Sequence, residues 1–264
     1  MREARIRKMA ELEIMRTLLA LRRANTAELA RATGIGRPTV VNALELLVKK
    51  GVLTRSKSKS FSIAEDIYFV ILEFSPDFAQ TVEYSVSDGA VRRSALKLVP
   101  SMSESDNSAR LAGLVERHID KLCESGKRVF ASVVTEEDGV RLPRCYSLQM
   151  KRSQLVERYL QSVSERASVL YLSLETGRSY LYSNSSYIGC GRPQGKADAA
   201  RMDTLFSFFL PDTVIFDGRG KEKESQILQI RKTCDKSNVK LLCDDRELCA
   251  YELGMIDILL ERLI

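Results

Sequence analysis

Apolar residues near the start of the chain recur at the spacing of short helices. The pattern around Ile14 and Leu18 predicts a first helix from about residue 4 to residue 24. Thr26 is the predicted N-cap of a second, short helix, because its hydroxyl can accept from the free backbone N–H groups of a first turn. Gly34 is expected to end that helix, since glycine adopts the left-handed conformation without strain.

A third helix is expected after Gly36, with Pro38 in its first turn, where a missing N–H costs no hydrogen bond. One face of this helix is predicted to be apolar and consists of Val40, Leu44, Leu47 and Val48. The opposite face carries Pro38, Thr39, Asn42, Glu45 and Lys49, with Arg37 and Val41 at its margins. Three helices with a glycine turn before the last are typical of a helix-turn-helix motif.

The residues after the third helix predict a β-hairpin. From Val52 the chain reads VLTRSKSKSFSIAED, which is first apolar, then small and basic, then alternating. In a winged helix-turn-helix such a hairpin lies beside the phosphates or the minor groove of DNA. The basic residues predicted to lie on this wing are Arg55, Lys57 and Lys59.

Basic residues are concentrated in this same part of the chain. Residues 1 to 60 contain 14 of the 41 Lys and Arg residues but only 5 of the 35 Asp and Glu residues. The remainder of the chain is mildly acidic, so the pI of about 9.0 comes from the first quarter. This distribution indicates binding to a polyanion, although charge alone leaves a solvated basic face as an alternative.

The helix-turn-helix pattern predicts which residues contact double-stranded DNA. The helix after the turn enters the major groove with its first residues at the base edges. Arg37 suits guanine or a phosphate, Asn42 suits adenine, and Thr39 or Val41 suits a thymine methyl group. Lys50 is expected beside this surface. The full set of predicted DNA-binding residues is Thr26, Arg37, Pro38, Thr39, Val41, Asn42, Lys49, Arg55, Lys57 and Lys59.

From about residue 64 the pattern changes to that of a mixed α/β body. Three strand-like runs begin at Ile67 and are followed by a helix, a strand and a second helix. Three more strand-like runs begin near residue 167, followed by a helix near residues 197 to 209 and a further alternation that ends in an apolar helix. The predicted domains are residues 1–63 and residues 64–264, the latter with lobes of about 64–165 and 166–264.

The segment GIGRPTVVNALELLVKKGVL resembles the winged helix of ROK-type (repressor, open reading frame, kinase) transcriptional regulators. A winged helix followed by a duplicated α/β body is similar to that family across nearly the whole chain. The resemblance implies an actin-like ATPase fold, which is RNase H-like, for the body. Serine commonly occupies the positions of Gly36 and Val41 in the family, so two hydroxyls that can contact phosphate are missing here.

This chain differs from the sugar kinases of the family at the positions of their phosphate-binding and catalytic residues. Those kinases place an Asp and glycines in the first hairpin to hold nucleotide phosphates, whereas the segment LEFSPDFAQ has Glu73 at the Asp position and no glycine. The family's catalytic Asn-Asp pair does not occur in the chain, and the segment GCGRPQGKADAARMD has no histidine where the zinc loop would lie. We therefore expect no catalytic residue and no cofactor.

Cysteine and histidine usage points away from a metal centre. The six cysteines include no C-x-x-C pair, and the single histidine, His118, lies in a polar helical pattern. We therefore predict no metal site and a reduced, cytoplasmic environment. No stretch approaches 18 consecutive apolar residues, so no membrane-spanning segment is expected.

Glycines at two predicted strand ends are candidates for ligand binding. These residues are Gly191 in one loop and Gly218, Arg219 and Gly220 in another. Free backbone N–H groups at the start of a helix attract anions. Glycines at strand ends are also ordinary turn residues, and the sequence leaves this interpretation open.

The function predicted from these features is sequence-specific DNA binding by a transcriptional regulator. The body is expected to join two copies into a homodimer and to sense a small metabolite, a sugar or sugar derivative. The alternative is a sugar or nucleoside kinase of the ROK family with a regulatory amino-terminal domain. A third class, a protein-interaction scaffold with neither activity, also fits the pattern.

Overall fold

The structure of the protein is a computed structural model. The structure describes residues 2–75, 78–99, 101, 103–135, 146–162, 167–173, 178–191, 206, 210–217, 224–243 and 248–264. The chain divides into two compact units, Met1–Gln149 with Met255–Ile264 and Met150–Gly254. No helix among the described residues is long and apolar enough to cross a membrane.

The first unit begins with three helices and a small sheet. The elements are α1 (Arg2–Leu21), β1 (Ala24–Asn25), α2 (Thr26–Thr33), α3 (Arg37–Lys49), β2 (Leu53–Arg55) and β3 (Ser60–Ile63). The three strands pair in the order β1-β3-β2. This is the winged helix-turn-helix that the sequence predicts.

The first helix ends earlier than the sequence pattern suggests. It was expected to reach residue 24, but α1 ends at Leu21, and Arg22 has a left-handed backbone with φ of 62°. The reason is pairing of the following residues with the wing, because Ala24 lies opposite Phe61 and Asn25 opposite Ser60 in an antiparallel ladder. Their extended backbone cannot also be helical.

The capping residue of α2 also differs from the prediction. Asn25, not Thr26, is the N-cap, and its Oδ1 accepts from the backbone N–H groups of Ala27 at 2.9 Å and Glu28 at 3.0 Å. The Glu28 carboxylate accepts in turn from the Asn25 N–H at 2.7 Å, which completes a capping box. Thr26 is therefore the first helical residue. Gly34 is the C-cap in a left-handed conformation with φ of 68°, as predicted.

The rest of the first unit is built on a five-stranded sheet. Its strands are β4 (Ile67–Ser75), β5 (Phe78–Ser85), β6 (Val91–Ala95), β7 (Arg128–Thr135) and β8 (Tyr146–Lys151), in the order β6-β5-β4-β7-β8. The β4–β5 and β5–β6 pairs are antiparallel, and the β4–β7 pair is parallel. Helix α4 (Glu104–Glu124) contributes to a core with the sheet: Val70, Leu72, Val115, Ile119, Ala131 and Val133.

The second unit contains a sheet of the same design. Its elements are α5 (Arg152–Ser162), β9 (Ser168–Ser173), β10 (Arg178–Ser183), β11 (Ser186–Gly191), β12 (Thr213–Asp217), α6 (Glu224–Ser237), β13 (Lys240–Cys243) and the start of α7 (Ala250–Leu263). The strand order is β11-β10-β9-β12-β13. The β9–β10 and β10–β11 pairs are antiparallel, and β9, β12 and β13 are parallel.

The two sheets share one topology. If the strands of each sheet are numbered 1 to 5 along the chain, both sheets have the order 3-2-1-4-5. Strands 1, 2 and 3 are antiparallel to their neighbours among these three, and strand 4 is parallel to strand 1. This repetition confirms the predicted duplicated α/β body. Strand β8 was not predicted from the sequence. The helix predicted near residues 197 to 209 lies outside the described residues, apart from Phe206.

Helix α7 meets α5 at a position where only glycine fits. A Cβ atom on Gly254 would lie 2.0 Å from the carbonyl oxygen of Leu155. Because that atom belongs to the backbone of α5, no side-chain rotation can remove the overlap. The side chain of Tyr251 lies one turn earlier on α7 and stacks on the buried Arg152 guanidinium, 4.4 Å from the ring centroid.

We expect Gly254→Ala to lower the free energy of unfolding by about 1–3 kcal/mol, because the close contact outweighs the gain in helix propensity. Gly113→Ala in α4 is the matched control, since a Cβ there would meet only the Arg117 side chain at 3.8 Å. That control should be neutral or up to about 1 kcal/mol more stable. Denaturant unfolding of both variants measures the difference. Equal effects would show that the α5–α7 contact is not tight.

Candidate nucleic-acid interface

The third helix has one buried face and one exposed face. Val40, Leu44 and Leu47 are at most 1% exposed and point into the domain. The opposite side is exposed along the whole helix: Arg37, Pro38, Thr39, Asn42, Glu45 and Lys49. Gly36 caps the helix without a side chain, and Pro38 lies in its first turn. A continuous polar surface is therefore presented to solvent from the first turn of α3 to the last.

Two of the predicted contact residues lie slightly behind this surface. Thr26 and Val41 are half-buried and line a hollow of about 260 Å³ between the start of α2, α3 and the wing. Arg55 and Phe61 close the hollow on the wing side. Val41 thus lines the gap between α3 and the hairpin, whereas Asn42 is exposed.

The wing is a short hairpin with a hydroxyl-rich turn. Thr54 lies opposite Ser62 and Arg55 opposite Phe61, with the Arg55 guanidinium 5.7 Å from the Phe61 ring centroid. The turn is closed by a hydrogen bond from the Lys59 N–H to the Ser56 carbonyl at 3.0 Å. The predicted wing cations Arg55, Lys57 and Lys59 are all exposed.

Arg23 is a residue of this surface that the sequence analysis missed. Its guanidinium donates to the Ser58 hydroxyl at 2.8 Å and to the Ser60 hydroxyl. The Ser56 hydroxyl lies 2.8 Å from both of these hydroxyls. Arg23 was missed because α1 was expected to continue through it, whereas β1 places it against the wing.

The base of the wing is held to the body by an ion pair. The Arg128 guanidinium donates to both carboxylate oxygens of Asp66, at 2.5 and 2.9 Å, and to the carbonyl oxygen of Gly51 at 2.6 Å. These hydrogen bonds hold the pKa of Asp66 below its usual range, because they favour the charged carboxylate. The start of the wing is therefore fixed relative to strands β4 and β7.

Lys50 does not belong to the DNA-facing surface, contrary to the prediction. Its ammonium group donates to the Glu11 carboxylate at 3.0 Å and to the main-chain oxygen of Ile264 at 2.6 Å. Glu11 is 2% exposed, so this lysine neutralises a buried carboxylate of α1. Lys50 is the C-cap residue of α3 and follows Lys49 by about 100° around the helix.

The candidate ligand-binding residues lie in the second unit. Gly191 is the last residue of β11 and pairs with Ser179 of β10. Gly218, Arg219 and Gly220 lie outside the described residues. In the first unit, the predicted position of the kinase carboxylate is occupied by Glu73, which is fully buried and accepts from the Gln80 amide at 2.5 Å.

Comparisons with known proteins agree with this geometry. Residues 8–82 match the model of a family described as the sugar-specific transcriptional regulator TrmB. The chain is a DNA-binding transcriptional regulator. No curated protein sequence matches it.

Solved structures resemble the chain in fold. A ROK family transcriptional regulator, a homologue of the E. coli MLC protein, covers 98% of this chain and 97% of its own at a TM-score of 0.60 and 8% identity. Its coverage shows that the winged helix and the α/β body together form a known architecture. A Bacteroides thetaiotaomicron protein with an actin-like ATPase fold covers 74% of this chain and 96% of its own, at a TM-score of 0.46 and 12% identity. A putative N-acetylmannosamine kinase from Listeria monocytogenes covers 74% of this chain and 99% of its own, at a TM-score of 0.46 and 10% identity.

The exposed wing lysines should contribute to the salt dependence of DNA binding. We expect Lys57→Ala combined with Lys59→Ala to reduce the slope of log K against log salt by roughly 1–2, because each phosphate contact contributes about 0.9. Fluorescence anisotropy at several salt concentrations measures the slope. The matched control is Lys232→Ala with Lys236→Ala, which removes two exposed charges from α6. If both double variants keep the slope of the parent protein, the wing does not touch the DNA backbone.

Proposed function

We propose that the chain binds a specific operator in double-stranded DNA as a homodimer, with α3 in the major groove and the wing on the backbone. The observation that carries this proposal is the exposed polar face of α3, opposite the buried Val40, Leu44 and Leu47. A helix with this division presents a row of side chains at the spacing with which recognition helices contact base edges.

Base reading is assigned to the first half of α3. Arg37 and Thr39 are exposed in the first turn, and Asn42 is exposed one turn later. An asparagine can form two hydrogen bonds to adenine, and an arginine can form two to guanine. Val41 would contact a thymine methyl group from the hollow beside the wing, which its half-buried side chain lines.

Backbone contacts are assigned to cations at both ends of this surface. Lys49 lies at the end of α3, and Arg55, Lys57 and Lys59 lie on the wing. Arg23 adds a further positive charge held against the hydroxyls of Ser58 and Ser60, a donor set that suits a phosphate oxygen. Such contacts fix the register of the protein on DNA and contribute affinity without sequence preference.

The body is proposed to pair two copies and to respond to a sugar or sugar derivative in the cytoplasm. Helix-turn-helix modules commonly act in pairs on two half-sites, because one module binds weakly. The sugar is supported by the description of the TrmB family, whose model covers residues 8–82. We keep residues 1–63 as the DNA-binding domain and residues 64–264 as the body. Gly191, Gly218, Arg219 and Gly220 remain the proposed ligand contacts.

Asn42→Ala tests the operator proposal. We expect it to weaken binding to the selected operator by about 1–3 kcal/mol while binding to random DNA barely changes, because a base contact is lost and the phosphate contacts stay. Lys49→Ala is the comparison on the same face, and it should weaken both complexes to a similar extent. Selection of a binding sequence from a random pool followed by mobility shifts gives both affinities. Equal losses for Asn42→Ala on the two DNAs would exclude base reading by this residue.

We also propose that the body is not a kinase. The Glu73 carboxylate at the position of the phosphate-binding Asp is buried and hydrogen-bonded inside the sheet, so it is not presented to a nucleotide. Phosphoryl transfer depends on positioned carboxylates and a phosphate cradle, which together supply most of the rate.

Titration with MgATP and a panel of hexoses should therefore give no micromolar binding heat and no ADP. The same preparation must bind DNA in a parallel mobility shift, which shows that it is folded. Micromolar MgATP binding with turnover would restore the kinase alternative.

A further inference from the structure

Near the start of α1, the side chains that the structure describes are exposed. Residues 4 to 9 are exposed, whereas Ala10, Ile14, Met15 and Leu18 further along the helix are buried against the domain. Two large apolar side chains lie in the exposed part, Ile6 at 54% and Met9 at 60% exposure. This end of α1 therefore presents an apolar surface that none of the described residues of the first unit covers.

This apolar surface lies between a basic residue and an acidic residue on the same side of the helix. Arg5, Met9 and Glu13 follow one another at intervals of four residues and so form one ridge along the helix. The ridge is basic at one end, apolar in the middle and acidic at the other end. Glu13 is positioned by Arg16, which donates to it at 2.5 Å and is itself held by both carboxylate oxygens of Asp257.

We propose that this ridge pairs with the same ridge of a second copy of the chain, antiparallel about a two-fold axis at Met9. Arg5 then lies opposite Glu13 of the partner subunit, Met9 packs on the partner's Met9, and Ile6 extends the apolar contact. A two-fold interface requires each surface to carry both members of every pair, and the ridge meets that condition. A nucleic acid would be repelled by Glu13, and a uniformly acidic or basic peptide would match only half of the ridge.

This inference rests on the proposed homodimer and specifies one of its contacts. Standard protein interfaces bury about 800 Å² on each partner, which two helical turns do not provide. The α1 contact therefore aligns the two DNA-binding domains, while the body supplies the remaining interface. Because α1 packs on α3, the axis at Met9 also determines the separation of the two recognition helices.

Disulfide cross-linking of the full chain tests the position of the axis. In a Cys123→Ser background, which removes the one cysteine that is exposed among the described side chains, we expect Met9→Cys to form a covalent dimer under mild oxidation. The control is Lys8→Cys, an exposed neighbour turned about 100° away around the helix. Facing cysteines have an effective concentration on the order of millimolar, so Met9→Cys should cross-link at least tenfold faster at micromolar protein. Equal rates at the two positions would overturn the proposal.

A charge exchange tests the pairing itself. Added to Met9→Cys, Arg5→Glu should slow cross-linking about tenfold, because it places like charges opposite each other twice per dimer. Arg5→Glu combined with Glu13→Arg should restore the rate. The two residues are about 12 Å apart along one helix, so restoration cannot come from a contact within a subunit. Failure of the exchange to restore the rate would contradict the proposed pairing.

Light scattering of the unmodified chain separates this inference from the proposed function. A dimer in which Met9→Cys and Lys8→Cys react alike would place the contact elsewhere and leave the homodimer intact. A monomer at micromolar concentration would remove the homodimer and the α1 contact together. DNA binding by Asn42 is measured independently of both results.

Discussion

The exposed polar face of α3 depends on the apolar contact between α1 and α3. Val40, Leu44 and Leu47 are buried on one side of α3, and Ile14, Met15 and Leu18 are buried on α1, which packs against it. Each of these side chains contributes roughly 1.5–3 kcal/mol when fully buried. Rotation of α3 by one residue, about 100°, would expose part of this stripe and bury polar residues of the opposite face. The core therefore determines that Asn42 points outward.

Residues close in sequence determine most of what could be predicted about this domain. The apolar period of α3, the glycine at the end of α2 and the proline at the start of α3 are local signals, and all three were interpreted correctly. The duplicated sheets were also predictable apart from β8, because their other strands carry apolar runs of their own. The N-cap of α2 was assigned one residue too late, since Asn25 and Thr26 are adjacent residues that can both cap a helix.

The features that escaped prediction depend on residues distant in sequence. Arg23 reaches the wing only because β1 pairs with β3, a contact that no local pattern indicates. Lys50 looked like a DNA-facing cation, yet its partners are Glu11 and the main chain at Ile264. Strand β8 has a mixed polar sequence, and its place at the sheet edge beside β7 comes from tertiary pairing. Charge counts identify the basic domain, but they do not show which cationic side chains are paired with other residues of the protein.

The body combines an intact fold with an altered phosphate-binding position. Both sheets keep the strand order of the duplicated topology, whereas Glu73 at the centre of the first sheet is enclosed and bonded to Gln80. A fold is maintained by many dispersed apolar contacts, such as those among Val70, Leu72 and Val133, and it tolerates changes at a single polar site. Phosphoryl transfer tolerates no such change, because it depends on a few positioned groups. A change at this one polar position therefore leaves the architecture of the body intact.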